Sequence, residues 1–144
     1  MRFRVLIADD YARIRFSVRR FVEEAGFTVC AEACDGRQAI EQAKQCRPDL
    51  ILLDLSMPNM NGPEAASVLK RLMPDVPIIL FTLYADSIGQ SSAQALCVDR
   101  VVAKSDGLRS LVSSMRELLA ADTQADEFPS RQVVRRNSSR LAAF

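Results

Sequence analysis

The chain of 144 residues contains no histidine and no tryptophan. Without an imidazole, neither a Ser-His-Asp triad nor a Cys-His pair can be built, and no histidine can ligate a metal. For the same reason the chain cannot donate a phosphoryl group from a phosphohistidine of its own. Its four cysteines, Cys30, Cys34, Cys46 and Cys97, include no C-x-x-C spacing, so neither a zinc site nor a redox motif is expected. They read as small buried hydrophobes in a reducing compartment. No apolar run approaches the roughly 18–20 residues of a spanning helix, and no signal peptide precedes the strand-like Phe3-Arg4-Val5-Leu6-Ile7. A cytoplasmic location without membrane contact is the expectation. The formal net charge of +1 supplies no overall field to gather nucleic acid or lipid headgroups.

What is present is ordered by period. Short apolar runs predict strands over residues 3–8, 27–33, 50–53, 77–81 and 100–103. Between them, apolar residues recur at helical spacing: Ile14, Val18, Phe21, Val22 and Ala25, then Ala39, Ile40 and Ala43, then Ala65, Leu69 and Leu72. A weaker helical stretch over residues 87–96 is interrupted by Gly89, and Leu111, Met115, Leu118 and Leu119 mark the last helix. Val29 and Ala31 are expected on one face of an edge strand. Leu50-Ile51-Leu52-Leu53, apolar throughout, suits a central strand covered on both sides. Five strand-then-helix units predict an α/β fold, a (βα)5 flavodoxin-like doubly wound parallel sheet in the order 2-1-3-4-5. The pattern ends near residue 121. Residues 122–144 read as a polar tail carrying Arg131, Arg135, Arg136 and Arg140, with no output domain recognised in it.

In such a sheet, ligands gather at the carboxyl ends of the strands, beside the reversal of strand order. The first strand delivers Asp9 and Asp10 there, the third Asp54, the fourth Thr82 and the fifth Lys104. Taken singly, each has an ordinary reading: Asp9 or Asp10 as a helix cap, Thr82 as a strand residue, Lys104 as a solvated charge. Asp54 resists it, because a carboxylate directly after four buried apolar residues is costly without a partner. Five such residues at matched strand ends make a cluster.

The segments Val5-Leu6-Ile7-Ala8-Asp9-Asp10, Glu32-Ala33-Cys34-Asp35-Gly36 and Arg47 through Pro58, with Asn61-Gly62, Thr82 and Lys104-Ser105, resemble the receiver domains of two-component response regulators. They are most similar to the NarL/FixJ type. The resemblance spans residues 1–121. It implies that Asp54 is a nucleophile taking a phosphoryl group from a histidine kinase or a small acyl phosphate, with Lys104 and Thr82 binding the phosphoryl oxygens. It further implies Mg²⁺ held by Asp10, Asp54 and the Ser56 carbonyl, with Asp9 acting largely through water. The implied partners are a sensor histidine kinase or phosphotransfer protein, a downstream protein target and a second copy of the chain.

Two departures stand out. Val101 occupies the position, three residues before the lysine, where the family places a switching aromatic, and Leu96-Cys97-Val98-Asp99 replaces the usual Gly-Ala. Valine is too short to swing between two environments, so the loop after Thr82, with Tyr84, is the expected carrier of any switch. The alternative function is the receiver portion of a NarL-like DNA-binding regulator, although no recognition-helix pattern follows Leu119. An Asp-nucleophile phosphatase of the haloacid-dehalogenase kind would need an acid where Ser56 stands. A pseudo-receiver is disfavoured by the intact five-residue set.

Overall fold

In a computed structural model, which describes residues 2–83, 85–88 and 92–127, the chain runs through alternating strands and helices. The order is β1 (Arg4–Ala8), α1 (Ala12–Glu24), β2 (Thr28–Ala33), α2 (Gly36–Cys46), β3 (Leu50–Leu53), α3 (Gly62–Leu72) and β4 (Ile78–Thr82). Two short helices, α4 (Ala85–Ile88) and α5 (Ser92–Ala95), lead to β5 (Arg100–Ala103), a 3₁₀ turn (Lys104–Asp106) and α6 (Gly107–Glu127). All pairings are parallel, and the sheet order is β2-β1-β3-β4-β5, the flavodoxin-like topology.

Side chains alternate across the strands, so one sheet feeds two apolar layers. Val5, Ile7, Leu50, Leu52, Ile79 and Phe81 pack with Val18 and Val22 of α1 and with Leu111, Met115 and Leu119 of α6. Leu6, Ala8, Ile51, Leu53, Ile78 and Leu80 pack with Ala39 and Ala43 of α2 and with Ala65, Ala66 and Leu69 of α3. The alanines on α2 and α3 let those helices lie close to the sheet. β3 is buried at every position because both layers need it.

The structure corrects four details of the sequence reading. First, Val29 and Ala31 do not share a face. Val5 pairs with Val29 and Leu6 with Ala31, so Cys30 is an inserted residue, and the bulge sends Val29 to one layer and Ala31 to the other. Second, Leu72 is exposed and Ala66 takes the buried place on α3. Third, α6 continues to Glu127, because residues 122–127 contain no helix breaker before Pro129. Fourth, the cysteines are partly rather than fully buried, and Cys30 Sγ lies 2.6 Å from Cys46 Sγ. Of the stretch expected as one helix over residues 87–96, the described part is helical over Ala85–Ile88 and Ser92–Ala95, and Gly89 lies outside the described residues.

The starts of α2 and α3 are fixed by side chains. The Asn61 side chain accepts from the Glu64 N–H at 2.9 Å, while Glu64 accepts from the Asn61 N–H at 3.0 Å, a capping box. Asp35 caps α2 by accepting from the Gln38 N–H at 2.8 Å, and Asn59 Nδ2 donates to its other oxygen at 2.9 Å. Those two bonds hold the Asp35 carboxyl below its ordinary range. A depressed acid stabilises the fold above its unfolded value and loses that contribution as pH falls.

Two glycines allow close approaches that a side chain would block. A Cβ on Gly62 would lie 2.2 Å from the Asp54 carbonyl oxygen, and one on Gly36 would lie 2.5 Å from that of Met60. Gly62→Ala should therefore destabilise the protein by about 2 kcal/mol or more, because backbone rather than a flexible side chain must yield. Urea unfolding would show this as a lowered midpoint with an unchanged slope. An unchanged midpoint would mean that the contact between α3 and the Asp54 loop is looser than described.

Candidate phosphoryl-transfer site

β1 and β3 are neighbours at the centre of the sheet, and each ends in a carboxylate. The Asp54 N–H donates to the Ala8 carbonyl at 2.9 Å and the Asp9 N–H to the Ala33 carbonyl at 3.0 Å, so ladder bonds set both backbones. Asp9, 4% exposed, accepts through Oδ1 from the Tyr11 N–H at 2.9 Å. Lys104 comes from the end of β5 and reaches back across β4. Its Nζ lies 2.8 Å from Asp9 Oδ2 and 3.3 Å from Asp54 Oδ1. Asp10 is exposed, yet one carboxylate oxygen from each of Asp9, Asp10 and Asp54 falls within a common 4.8 Å. Thr82, fully buried, ends β4 between β3 and β5.

Of the residues singled out from the sequence, Asp9, Asp10, Asp54 and Lys104 thus meet directly, and Thr82 occupies the strand end between them. Ser56 is exposed in the loop two residues beyond Asp54. That loop is closed by the Gly62 N–H donating to the Leu55 carbonyl and the Gly36 N–H donating to the Met60 carbonyl, both at 2.9 Å. Val101 is partly buried in β5, paired with Leu80 and packed on the layer under α2 and α3. Tyr84 lies outside the described residues.

Several supporting residues escaped the sequence reading. Arg15 donates from Nη1 to the Asp9 carbonyl at 2.7 Å and from Nε to Glu32 at 2.9 Å, anchoring the turn after β1. Glu32 also accepts from Arg19. Burial pushes this carboxyl up, but the arginines outweigh it and hold the group below its usual range. Asp99 accepts from Lys70 Nζ and from the Ile78 N–H, pinning the start of β4. These ion pairs span 13 to 29 residues, and no local pattern announces them.

Electrostatically the pocket is one cation short. Burial, then the Asp9 carboxylate, pushes Asp54 above the ordinary carboxylate range, and Lys104 opposes them without prevailing. Three hard oxygen donors around a gap shared with a single ammonium suit a small divalent cation such as Mg²⁺, which uses few carboxylates and keeps several waters. Both Asp9 oxygens already accept, Oδ1 from the Tyr11 N–H and Oδ2 from Lys104.

A model of the response regulator receiver domain matches residues 5–116. The chain belongs to the response-regulator receiver family. This receiver is 35% identical over 100 residues to the chemotaxis protein CheY of Thermotoga maritima, an alignment covering 69% of the chain and 78% of the relative. It is 31% identical over 135 residues to a protein-glutamate methylesterase/protein-glutamine glutaminase of Pyrococcus abyssi, of which it spans only 36%. Among solved structures, the receiver domain of AraT from Geobacillus stearothermophilus superposes with a TM-score of 0.73 at 34% identity. That match covers 85% of this chain and 99% of the other.

Asp54→Asn tests the charge balance. A carboxyl whose folded-state pKa is raised binds its proton more tightly when folded, so stability falls as pH rises from about 4 through the raised value. Without divalent metal at pH 7 the variant should be more stable than the parent by on the order of 1 kcal/mol, one close like-charge pair at a partly wet site. Below pH ~3.5 the advantage should vanish. A variant less stable at neutral pH would show that the Lys104 contact outweighs the repulsion.

Proposed function

We propose that Asp54 is the phosphoryl acceptor of a two-component phosphorelay, and that the receiver acts as a phosphorylation-controlled signalling module. The supporting observation is the Asp54 carboxylate at the open end of a buried strand, 3.3 Å from Lys104 Nζ and beside Asp9 and Asp10. An Asp54 oxygen attacks phosphorus on the phosphohistidine of a sensor kinase or phosphotransfer protein, or on a small acyl phosphate. The bond from phosphorus to the leaving group breaks as the aspartyl phosphate forms. Lys104 exchanges a carboxylate for a phosphoryl oxygen, and the Thr82 hydroxyl donates to another. Asp10, Asp54 and the Ser56 carbonyl would hold Mg²⁺, with Asp9 acting through water. When bound, the ion neutralises charge on the transferring group. Charge and position supply most of the catalysis, so the absence of histidine costs nothing.

On this reading the chain catalyses only its own phosphorylation and dephosphorylation, in the cytoplasm, and passes the signal to a protein target. Among the described residues no helix is long and apolar enough to cross a membrane. With Val101 in place of an aromatic, the loop following Thr82 carries the conformational readout. The receiver unit read over residues 1–121 ends within α6, which runs on to Glu127.

Incubation with Mg²⁺ and a small acyl phosphate should add one acid-stable, base-labile phosphoryl group, absent in Asp54→Asn. Mass spectrometry of the intact chain would detect it, and labelling that persists in the variant or maps to a serine refutes the acceptor assignment. Mg²⁺ should also raise the melting temperature by mass action. Asp10→Asn should lose most of that response while the metal-free variant stays at least as stable as the parent. A clearly less stable metal-free variant would make Asp10 a structural residue instead.

A further inference from the structure

Cys30 and Cys46 lie at the opposite end of α2 from the acidic pocket. Their sulfurs are 2.6 Å apart, well inside the roughly 3.5–4.0 Å at which unbonded heavy atoms rest. Each is brought there by a specific backbone feature. The bulge at Cys30 leaves that residue without a partner on β1, with Ala31 and Ala33 beyond it facing the layer under α2. Its side chain is thereby aimed at α2, the use to which bulges are commonly put. Cys46 is the last residue of α2, and its carbonyl accepts from Arg4 Nε at 3.2 Å and Nη2 at 3.0 Å. The next residue, Arg47, closes the helix in the left-handed region at φ 50°. Both cysteine backbones are held by structure that does not depend on the sulfurs meeting.

A shared metal ion does not explain the pair. Thiolates around a tetrahedral ion with bonds of about 2.3 Å stand nearly 4 Å apart. Among the described residues, the one group of three metal-ligating side chains is Asp9, Asp10 and Asp54. The other two thiols are engaged elsewhere: Cys34 Sγ donates to Gln38 Oε1 at 3.1 Å, and Cys97 packs on the layer under α2 and α3.

We propose that Cys30 and Cys46 form a reversible redox site, which closes to a disulfide by exchange with a low-molecular-weight disulfide. Both residues are partly exposed, so a small oxidant can reach them. Burial, then the neighbouring Cys46, pushes the Cys30 thiol up to about 12, and Cys46, at the end of α2, is assigned as the attacking group. The Cys46 thiolate, its proton lost to solvent, attacks one sulfur of the oxidant. The oxidant's S–S bond breaks and the first small thiolate leaves, taking a proton from solvent. Cys30 sulfur then attacks Cys46 Sγ, the mixed disulfide breaks, and the departing thiolate takes up the Cys30 proton. Two protein thiols are oxidised and one small disulfide is reduced to two thiols.

Oxidation would fix both ends of α2, since its first turn is already bonded to the Asp54 loop through Gly36 and Asp35. In a reducing compartment such a bond is transient, which is the behaviour of a sensor rather than a structural staple. The inference stands whether or not Asp54 is the phosphoryl acceptor.

The reduced full chain should be incubated, folded, with oxidised glutathione, then denatured, alkylated with N-ethylmaleimide and mapped by mass spectrometry. The expected product is a single Cys30–Cys46 linkage, with Cys34 and Cys97 alkylated and full reversal by dithiothreitol. In Cys30→Ser the glutathione adduct should persist on Cys46, because nothing resolves it. Oxidation should raise the melting temperature by roughly 5 °C, and Cys46→Ser or Cys46→Ala should abolish that rise. A urea midpoint for each reduced variant shows that it is folded. The proposal is overturned if the folded parent keeps Cys30 and Cys46 alkylatable, if either links to another cysteine, or if glutathione adducts persist on the parent.

Discussion

One ammonium group organises the acidic end of this receiver. Lys104 Nζ contacts Asp9 at 2.8 Å and Asp54 at 3.3 Å, and its side chain is only 9% exposed. Breaking a buried ion pair on one side typically costs 3–5 kcal/mol, because the surviving charge is left without compensation. The lysine is therefore a structural element of the pocket. It ties together the ends of β1, β3 and β5. Yet one positive charge cannot balance Asp9, Asp10 and Asp54, and Asp54 is held above the ordinary carboxylate range. On the reading proposed above, the same deficit that costs stability in the free protein would favour a divalent cation in the pocket.

The loop that leaves Asp54 is held from two directions. Gly62 at the start of α3 bonds the Leu55 carbonyl, and Gly36 at the start of α2 bonds that of Met60. Both glycines sit where no Cβ fits, so two helix starts and the Asp54 loop share one tightly packed seam. Asp35, accepting from both Gln38 and Asn59, completes it. Displacement of the loop thus displaces two helices, a mechanical basis for spreading a local charge change.

Much of this was legible in the sequence, because the governing constraints are local and periodic. Leu50 to Leu53 announces a doubly covered strand, and the five strand-end residues follow from the topology once the strands are placed. The misreadings have a common cause. Period-two logic put Val29 and Ala31 on one face, but it assumes equal residue numbers on paired strands, and an inserted residue is invisible to it. Leu72 continues the apolar stripe of α3 but stays exposed, while the next residue, Met73, packs on the layer in its place. Arg15, Glu32, Lys70 and Asp99 join elements far apart in the chain, where charge pattern alone cannot select a partner. The proximity of Cys30 and Cys46 is of the same kind: the spacing matches no motif, and the meeting depends on the bulge.

That bulge has a consequence for how β2 tolerates change in length. Thr28 and Val29 match the start of β1, while Ala31, Glu32 and Ala33 are offset by one. The offset decides that Ala33, rather than Glu32, accepts from the Asp9 amide, and the Glu32 side chain meets Arg15. Deleting Cys30 would restore equal counts on β1 and β2 and still leave Ala33 opposite Ala8. The straightened ladder would deliver the same residues to the turn that holds Asp9. The bulge is thus one residue of slack in the edge strand, which can be given up before a change in length reaches the acidic end of the sheet.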